Sequence, residues 1–355
     1  MAFLEFKNVR IAGISAGVPR RAICNLDLKN LSSDYDSAAF VESTGVLERR
    51  VGNLTTSDLC VPAAERLLSD LGWERSEIQA LVFVSQTTDY FLPATACIVQ
   101  DRLGLNKDCY ALDIVLGCSG WVYGLSSVVS LMSGGSIKKA LLMAGDAKRH
   151  FDSNDPLFGF AGTVTALEYQ ENSSGFKFHF GTDGSGFDAI IIPDGGSRNQ
   201  VSLASFGEET IDGRRFNRLQ TRMKGMDVFS FGISTAPKSV KKLAEHFGFD
   251  YLDADYFVFH QANMKMNNMI AKKLKLPSEK VPSCMYHFGN TSSASIPLTV
   301  VTQLKGKIDG ISTKFICCGF GVGLSWGTVA FETNNIVISN LVEVCDEEKD
   351  NKYVV

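Results

Sequence analysis

The sequence alternates short apolar runs with longer segments that stop at glycine, and this alternation constrains the fold more than any other feature of the chain. Three segments have a helical composition and are each closely followed by glycine: 58–71, 94–103 and 119–132. Because glycine is favoured just beyond the last turn of a helix, these segments are predicted helices. The apolar runs predict buried strands at 9–16, 81–84, 110–116 and 140–144.

A second series of the same kind begins near Gly175. Its predicted strands flank the Asp-Gly pair 183–184 and lie at 256–259, near Val281, and at 314–318 and 324–332. Its predicted helices lie at 226–247 (interrupted at Pro237), 263–274 and 293–304. No hinge rich in proline and serine separates the two series.

Two successive mixed series of similar size predict an α/β fold with duplicated halves. The 355 residues exceed one average domain, which agrees with two halves at 1–174 and 175–332. Residues 333–355 are then a C-terminal extension, in which the charged segment 346–350 is predicted to be solvated.

Composition argues against several classes of protein. Lysine and arginine number 35 against 39 aspartate and glutamate, so the chain has no general basic field and nucleic acid is not an expected partner. The nine cysteines form no Cys-x-x-Cys pair, which argues against a disulfide framework or a zinc site and predicts a reducing cytoplasm. The N-terminus lacks a signal-peptide pattern, and no apolar run approaches about 18 residues, so neither export nor a membrane is expected.

Cys118 is the strongest candidate nucleophile. It follows a predicted buried strand and Gly117, and it precedes a predicted helix that is apolar on nearly every side. The free N–H groups and positive dipole end of a helix favour a thiolate. Taken alone, a cysteine in an apolar setting is more often inert core, and this is the interpretation for Cys97, Cys109 and the pair 317–318.

Two polar residues in the second half are candidates for the same chemistry. His260 ends the predicted strand 256–259, at the sheet edge where α/β proteins gather their ligands. Asn290 lies in a turn of small residues, 289–295, that enters a helix. N-capping is the simple interpretation of that turn. The small residues continue past the cap, however, and indicate close packing, where an amide would be a neutral donor.

Two glycine-rich segments have different interpretations. Gly-Phe-Gly-Val-Gly at 319–323 joins the last two predicted strands, either as a flexible hairpin or as a backbone that brings an N–H group against an oxyanion. The segment 181–186 lacks the lysine of a phosphate loop and the Rossmann spacing, so it is predicted to be a structural turn.

Three motifs in a fixed order resemble the 3-oxoacyl-(acyl carrier protein) synthase III family of the thiolase superfamily. They are Gly-Cys-Ser-Gly at 117–120, His-Gln-Ala-Asn at 260–263 and Gly-Asn-Thr-Ser-Ser-Ala-Ser at 289–295. The resemblance implies a thiolase-like fold whose two halves form a five-layered α/β/α/β/α core, and a homodimer. It also implies an acyl carrier protein as partner, acyl and malonyl thioesters as substrates, and no metal or redox cofactor.

The resemblance also implies a role for each motif. Cys118 would accept an acyl group as a thioester, while His260 and Asn290 would donate hydrogen bonds to the thioester carbonyl of a malonyl-type extender. The backbone amides of Cys118 and Val322 would form the oxyanion hole for acyl transfer. The implied reaction is a decarboxylating Claisen condensation with a carrier-bound extender, in fatty-acid or specialised acyl-chain biosynthesis.

Two alternatives stay open at this point. In one, Cys118 passes its acyl group to an alcohol or an amine without loss of carbon dioxide. In the other, the chain is an inactive partner subunit of a heterodimeric synthase.

The chain departs from the family pattern at several substrate-binding positions. Ala39 and Ser43 stand where the family has a tryptophan and an arginine that hold coenzyme A, which predicts poor priming by coenzyme A donors. Phe160 stands in place of the aspartate of an Asp-Gly pair and is expected to reshape the wall near the nucleophile. Leu92 replaces a phenylalanine that reaches into the partner's acyl pocket, and Lys265 replaces an arginine.

Lys265, Lys272 and Lys273 crowd the predicted helix that follows His260. A solvated helix face is the simple interpretation, because surface lysines often cluster. The alternative is a docking patch for an acidic acyl carrier protein.

If these lysines dock a carrier, reversing Lys265 and Lys272 to glutamate will raise the KM for a carrier-bound substrate severalfold. Long-range attraction between the two charged surfaces would be lost, and the effect should weaken with salt, since the Debye length is about 8 Å at physiological ionic strength. Steady-state kinetics with a carrier-bound donor measure it, with self-acylation by a small uncharged thioester as the control. Unchanged kinetics with the carrier-bound donor would contradict the docking patch and favour the interpretation as a solvated helix face.

Overall fold

The computed structural model describes residues 2–28, 35–147, 155–211, 214–348 and 351–353, and two mixed β-sheets form its centre. The N-terminal sheet has the strand order Val337–Ile338, Val9–Pro19, Ala161–Tyr169, Lys139–Asp146, Ala80–Val84 and Tyr110–Ile114. Val342–Val344 also pairs with Val9–Pro19. The C-terminal sheet has the order Ala2–Phe6, Phe176–Thr182, Ser325–Thr333, Thr313–Gly321 and Tyr256–Phe259.

Helices cover both faces of both sheets. Thr56–Leu71 and Thr95–Arg102 pack on the outer face of the N-terminal sheet, and Gly225–Phe247 and Met264–Leu274 on the outer face of the C-terminal sheet. Gly120–Met132 and Ser295–Gln303 lie between the two sheets. The five-layered α/β/α/β/α fold class is therefore confirmed.

Shorter elements connect these layers. They are the helices Ser37–Thr44 and Met285–Phe288 and three two-stranded pairs: Ala22–Cys24 with Glu48–Arg50, Ile190–Ile191 with Arg222–Met223, and Glu209–Ile211 with Arg214–Phe216.

The apolar runs of the sequence become strands that are buried on both faces. In Ala80–Val84, the side chains of Leu81 and Phe83 join the core beneath the outer helices, whereas Val82 and Val84 join the core between the sheets. Successive side chains of a strand point to opposite faces, so one unbroken apolar run serves both cores.

The predicted interruption at Pro237 is wrong, because Gly225–Phe247 is one continuous helix. Proline has no N–H group to donate to the carbonyl of Ile233, four residues earlier. Lys273 Nζ donates to that carbonyl instead, at 3.0 Å. A side chain from the neighbouring helix thus satisfies the group that the proline leaves without its usual partner.

The strand predicted near Val281 is also absent from the part of the chain that the structure describes. Val281 follows a short turn of 3-10 helix, Ser278–Lys280, and its N–H donates to the Ser278 carbonyl at 3.0 Å. Its side chain packs against the core beneath the outer helices of the C-terminal sheet. Burial of one apolar side chain therefore accounts for the sequence signal.

The two ends of the chain cross the predicted boundaries of the halves. Ala2–Phe6 pairs antiparallel with Phe176–Thr182 in the C-terminal sheet. In the other direction, Val337–Ile338 and Val342–Val344 of the extension pair in parallel with Val9–Pro19. Each half is therefore completed by a strand from the opposite end of the chain. Within the predicted solvated segment, Asp346 and Glu347 are exposed, and Asp346 accepts a hydrogen bond from the N–H of Asn53 at 2.9 Å.

Among the described residues, no helix combines the length and the apolar character that crossing a membrane requires.

A buried ion pair joins the two outer helices of the N-terminal sheet. Arg102 lies 3.0 Å from Asp58, with both side chains almost completely buried, and it also donates to Ser57 Oγ at 2.8 Å. Removing one member of a buried pair leaves the other charge without compensation in a poorly solvated place.

Arg102→Ala is expected to lower the free energy of unfolding by about 3–5 kcal/mol, since Asp58 would keep its charge without its partner. Urea unfolding measures the change. Arg66→Ala is the matched control, because Arg66 pairs with Asp70 on the surface of Thr56–Leu71, the helix that carries Asp58. Loss of that pair should lower the free energy of unfolding by at most about 1 kcal/mol. Equal losses in the two variants would contradict the structural role given to Arg102.

Candidate active site

Cys118 lies at the turn between strand Tyr110–Ile114 and helix Gly120–Met132. The turn is tight: the N–H of Gly120 donates to the Gly117 carbonyl at 2.6 Å. Cys118 is 9% exposed and lines a cavity of about 350 Å³. Cys118 thus lies immediately before the first turn of helix Gly120–Met132, the place in the fold that the sequence indicated.

The end of strand Thr313–Gly321 packs directly on this turn. A Cβ atom on Gly321 would lie 2.6 Å from Cys118 Cβ and 2.8 Å from its Sγ. A Cβ atom on Gly319 would lie 2.9 Å from the Cys118 carbonyl oxygen. Only glycine permits this close approach, so the backbone of the C-terminal sheet fixes the position of the thiol.

A chain of hydroxyl groups ties the following loop to the same turn. Ser325 Oγ donates to the Val322 carbonyl at 2.8 Å and lies 2.7 Å from Ser119 Oγ. Val322 lines the cavity beside Cys118. The segment 320–322 is therefore a backbone wall of the cavity that is tied at Val322 to the turn carrying Cys118.

His260 follows strand Tyr256–Phe259 and is 2% exposed. Its backbone N–H donates to the Cys318 carbonyl at 2.9 Å, and its ring Nδ1 lies 2.8 Å from Ser295 Oγ. Burial lowers the pKa of the imidazole to about 3, against a smaller opposing effect of a hydrogen bond with the Ser292 backbone. His260 is therefore neutral near pH 7, and a neutral imidazole can donate a hydrogen bond without carrying a charge.

Asn290 is held by a short backbone pairing with residues 157–159. Its N–H donates to the Leu157 carbonyl at 2.9 Å, and its carbonyl accepts from the N–H of Gly159 at 3.1 Å. Its side-chain Oδ1 accepts a hydrogen bond from the N–H of Ser292 at 2.9 Å. Because the acceptor end of the amide is occupied in this way, the NH₂ end is the one oriented for donation.

Cys118, His260 and Asn290 line the same cavity, so the structure brings together the three residues that the sequence singled out. The remaining wall is mostly apolar. Its larger apolar residues are Val115, Leu157, Phe158, Ile190, Ile191, Ile192, Met223, Val228, Met266 and Phe320. A cavity with a polar cluster and an apolar lining can hold a reactive carbonyl together with a hydrocarbon chain.

Besides Thr221, sequence reasoning missed three polar residues that line this cavity, namely Gln86, Thr87 and Asp146. They lie where strands Ala80–Val84 and Lys139–Asp146 end, and these strands run parallel to Tyr110–Ile114, which leads to Cys118. Asp146 Oδ1 accepts from the N–H of Gln86 at 2.7 Å, which fixes the turn. The shared carboxyl edge of parallel strands was the signal that could have found them.

None of the three predicted substrate-binding residues, Leu92, Phe160 and Lys265, lines this cavity. Phe160 packs in a small separate core with Leu54, Leu59 and Val344, so its bulk fills the interior instead of reshaping the wall near Cys118. Phe158 takes the place at the wall that was expected of Phe160. Leu92 is 86% exposed on the surface of this chain.

The predicted docking lysines divide into two groups. Lys265 and Lys272 line a surface groove of about 540 Å³ together with Ala39 and Ser43, the two positions at which the chain departs from the family. Lys273 donates instead to the Ile233 carbonyl, so a structural role accounts for it. The groove lies between helices Ser37–Thr44 and Met264–Leu274.

Within the described part of the chain, no group of three or more histidine, cysteine or acidic side chains is arranged to hold a metal ion.

Fold and site together define a protein of the thiolase fold in which a cysteine, a histidine and an asparagine meet in one cavity. Residues 112–184 match the family model described as 3-Oxoacyl-[acyl-carrier-protein (ACP)] synthase III, and residues 244–333 match its C-terminal model. The chain belongs to this family, whose members are acyltransferases of the thiolase superfamily.

Similarity to individual proteins extends over nearly the whole chain. A beta-ketoacyl-[acyl-carrier-protein] synthase III of Pseudomonas aeruginosa is 35% identical over 336 residues, covering 92% of this chain and 97% of the relative. One from Clostridium acetobutylicum is 30% identical over 332 residues, covering 92% and 98%. The crystal structure of a 3-oxoacyl-(acyl-carrier protein) synthase from Burkholderia xenovorans superposes with a TM-score of 0.89 at 37% identity, covering 97% and 99%.

Gly321→Ala is expected to lower the rate of acyl transfer to Cys118 by about 100-fold. The new methyl group must displace the thiol, and a displacement of about 1 Å is enough to lower an enzymatic rate by that factor. Single-turnover acylation followed by intact-protein mass spectrometry measures it. Gly134→Ala is the control, since a Cβ atom there meets nothing within 4 Å. Wild-type rates in both variants would show that the close approach does not position the thiol.

Proposed function

We propose that this chain is a beta-ketoacyl-ACP synthase III. It takes an acyl group onto Cys118 as a thioester and joins it to a malonyl-type extender with loss of carbon dioxide. The observation that carries the proposal is the presence of Cys118, His260 and Asn290 in one largely apolar cavity. The backbone wall formed by Gly321, which lies against the thiol, and Val322, which lines the cavity beside it, supports the proposal further.

In the first step, Cys118 gives up its thiol proton and its thiolate attacks the carbonyl carbon of an acyl thioester. The bond from that carbon to the donor sulfur then breaks, and the donor leaves as a thiol that carries the proton. Negative charge develops on the carbonyl oxygen during the attack. We assign the oxyanion hole to the backbone N–H groups of Cys118 and Val322. The tie from Ser325 to the Val322 carbonyl supports this assignment, because an amide contributes most when it is held in place before the reaction.

In the second step, the thioester carbonyl of the extender accepts hydrogen bonds from His260 and Asn290. These donors stabilise the enolate that forms when the carbon–carbon bond to the carboxylate breaks and carbon dioxide leaves. The enolate carbon then attacks the acyl group on Cys118, and the thiolate leaves. A neutral imidazole suits this role, and burial keeps His260 neutral by lowering its pKa to about 3.

We propose that carrier-bound thioesters serve this enzyme better than coenzyme A thioesters. The groove beside the site has small side chains at Ala39 and Ser43, which provide neither an aromatic face for a base nor a guanidinium for a phosphate. Lys265 and Lys272 remain as cations at the same groove, and they suit an acidic carrier surface. The relatives' names include the acyl carrier protein.

A homodimer is part of the proposal. Tyr110–Ile114 lies at the end of the N-terminal sheet's strand order and exposes Leu112, with Val115 and Leu92 exposed nearby. A bare strand edge with apolar side chains invites pairing with another chain, and a second copy would cover it. Leu92 would then reach the partner's cavity, which accounts for its exposure in one chain.

We place the enzyme in the cytoplasm. The nine cysteines include no Cys-x-x-Cys pair, which suits a reducing compartment.

His260→Ala and Asn290→Ala are each expected to lower the release of labelled carbon dioxide from a malonyl thioester by about 10²–10³-fold, the usual cost of losing one preorganised donor. Cys118 should still be acylated, because acylation uses separate backbone donors. The control is His287→Ala, a histidine on the surface that pairs with Glu48.

Three results would contradict this assignment. Near wild-type decarboxylation in both variants would show that His260 and Asn290 are not the donors to the extender. Transfer of the acyl group to an alcohol or amine without carbon dioxide would favour the non-decarboxylating alternative. A wild-type protein that no donor acylates would favour the inactive partner subunit.

A further inference from the structure

One wall of the active-site cavity is a narrow stem formed by residues 188–194 and 218–224. Five of its residues line the cavity: Ile190, Ile191, Ile192, Thr221 and Met223. The stem contributes no residue to the cysteine, histidine and asparagine cluster. Its contacts with the cavity are almost entirely apolar, as suits a surface that meets a hydrocarbon chain.

The backbone ladder of this stem is very short. Ile190 pairs with Met223 and Ile191 with Arg222, and the described strands extend no further. An isolated two-stranded ladder is at best marginally stable in water. Other contacts must therefore hold the wall in place against the rest of the cavity.

Asp194 and Arg218 provide such a contact at the outer end of the stem. Arg218 donates from Nε to Asp194 Oδ2 and from a terminal nitrogen to Oδ1, both at 2.9 Å. Ser205 Oγ donates to Asp194 Oδ2 at 2.8 Å, and the N–H of Asp194 donates to the Arg218 carbonyl at 3.0 Å. The pair is geometrically specific, and of its two members Asp194 is 8% exposed whereas the Arg218 side chain is 37% exposed.

The inner end of the stem has a weaker tie. Lys224 Nζ lies 2.6 Å from Asp188, but both side chains are about half exposed. Exposed single-point ion pairs contribute little. The two-point contact between Asp194 and Arg218 is therefore the stronger of the two ties that set the position of the wall.

We propose that Asp194 and Arg218 are positioning residues that hold this stem as the wall against which the acyl chain packs, and that they thereby set which chain lengths the enzyme accepts. The inference rests on the proposed acyl-binding function of the cavity. Neither residue touches the reacting atoms. Loss of the pair should leave the chemistry at Cys118 intact and should weaken discrimination between long and short chains.

The test uses alkylating reagents that differ only in chain length, so it does not depend on acyl transfer. Rates of Cys118 alkylation by iodoacetamide and by N-octyl iodoacetamide are measured on the full chain by peptide mass spectrometry. In wild type, packing against the wall should favour the octyl reagent over iodoacetamide. In Arg218→Gln, this ratio should fall about tenfold, the scale on which a hydrophobic pocket discriminates chain length.

Two variants separate positioning from general stability. Arg215→Gln is the matched control. Arg215 pairs with Glu208 on an exposed surface between the two segments of the stem, so this variant should not change the ratio. Arg218→Lys keeps the charge but loses the two-point contact, so an intermediate ratio is expected. The iodoacetamide rate and the urea midpoint should stay close to wild type in all three variants.

An unchanged ratio in Arg218→Gln would overturn the proposal, as would an equal fall in Arg215→Gln. A parallel loss of both alkylation rates together with the urea midpoint would show a merely structural role and would also overturn it. Octanoyl and acetyl thioester donors are tested alongside. If wild type prefers the octyl reagent but accepts neither donor, the proposed function fails while the positioning role stands.

Discussion

The site depends on the close contact between the end of strand Thr313–Gly321 and the turn that carries Cys118. Gly321 lies so near the thiol, and Gly319 so near the Cys118 carbonyl, that no side chain fits between this strand and the turn. Cys118 comes from the first half of the chain, whereas His260 and Asn290 come from the second. Their mutual geometry can persist only if the two halves are locked together. The glycine contact provides that lock at the point where the chemistry requires it.

Much of the layered fold could be predicted because strands buried on both faces leave unbroken apolar runs, as at Ala80–Val84. What could not be predicted depends on partners distant in sequence. A helix continues through Pro237 because Lys273, on another helix, serves the carbonyl of Ile233. Ala2–Phe6 and the extension are short and only partly apolar, and their strands exist because the opposite half offers an edge to pair with.

Cys118 and His260 could be predicted because each combines its residue type with a position after a strand, and Asn290 because it lies in a turn of small residues that leads into a helix. The cavity walls could not. The sequence predicts that Phe160 contacts the substrate, yet its side chain packs in a separate core and Phe158 lines the cavity. The stem that carries Ile190 and Met223 is held by two backbone residue pairs and by an ion pair between Asp194 and Arg218. No local sequence pattern predicts either contact. Reactive residues are thus easier to predict than the surfaces that select a substrate.

The proposed reaction requires Cys118 to carry the acyl group. The most direct measurement is peptide mapping by mass spectrometry after the purified protein is incubated with acyl thioester donors, with and without hydroxylamine. We predict one acyl group, on the peptide that contains Cys118, released by hydroxylamine as a thioester should be. An acyl group on Cys97 or Cys284 with Cys118 unmodified, or no stable adduct with any donor, would contradict the account.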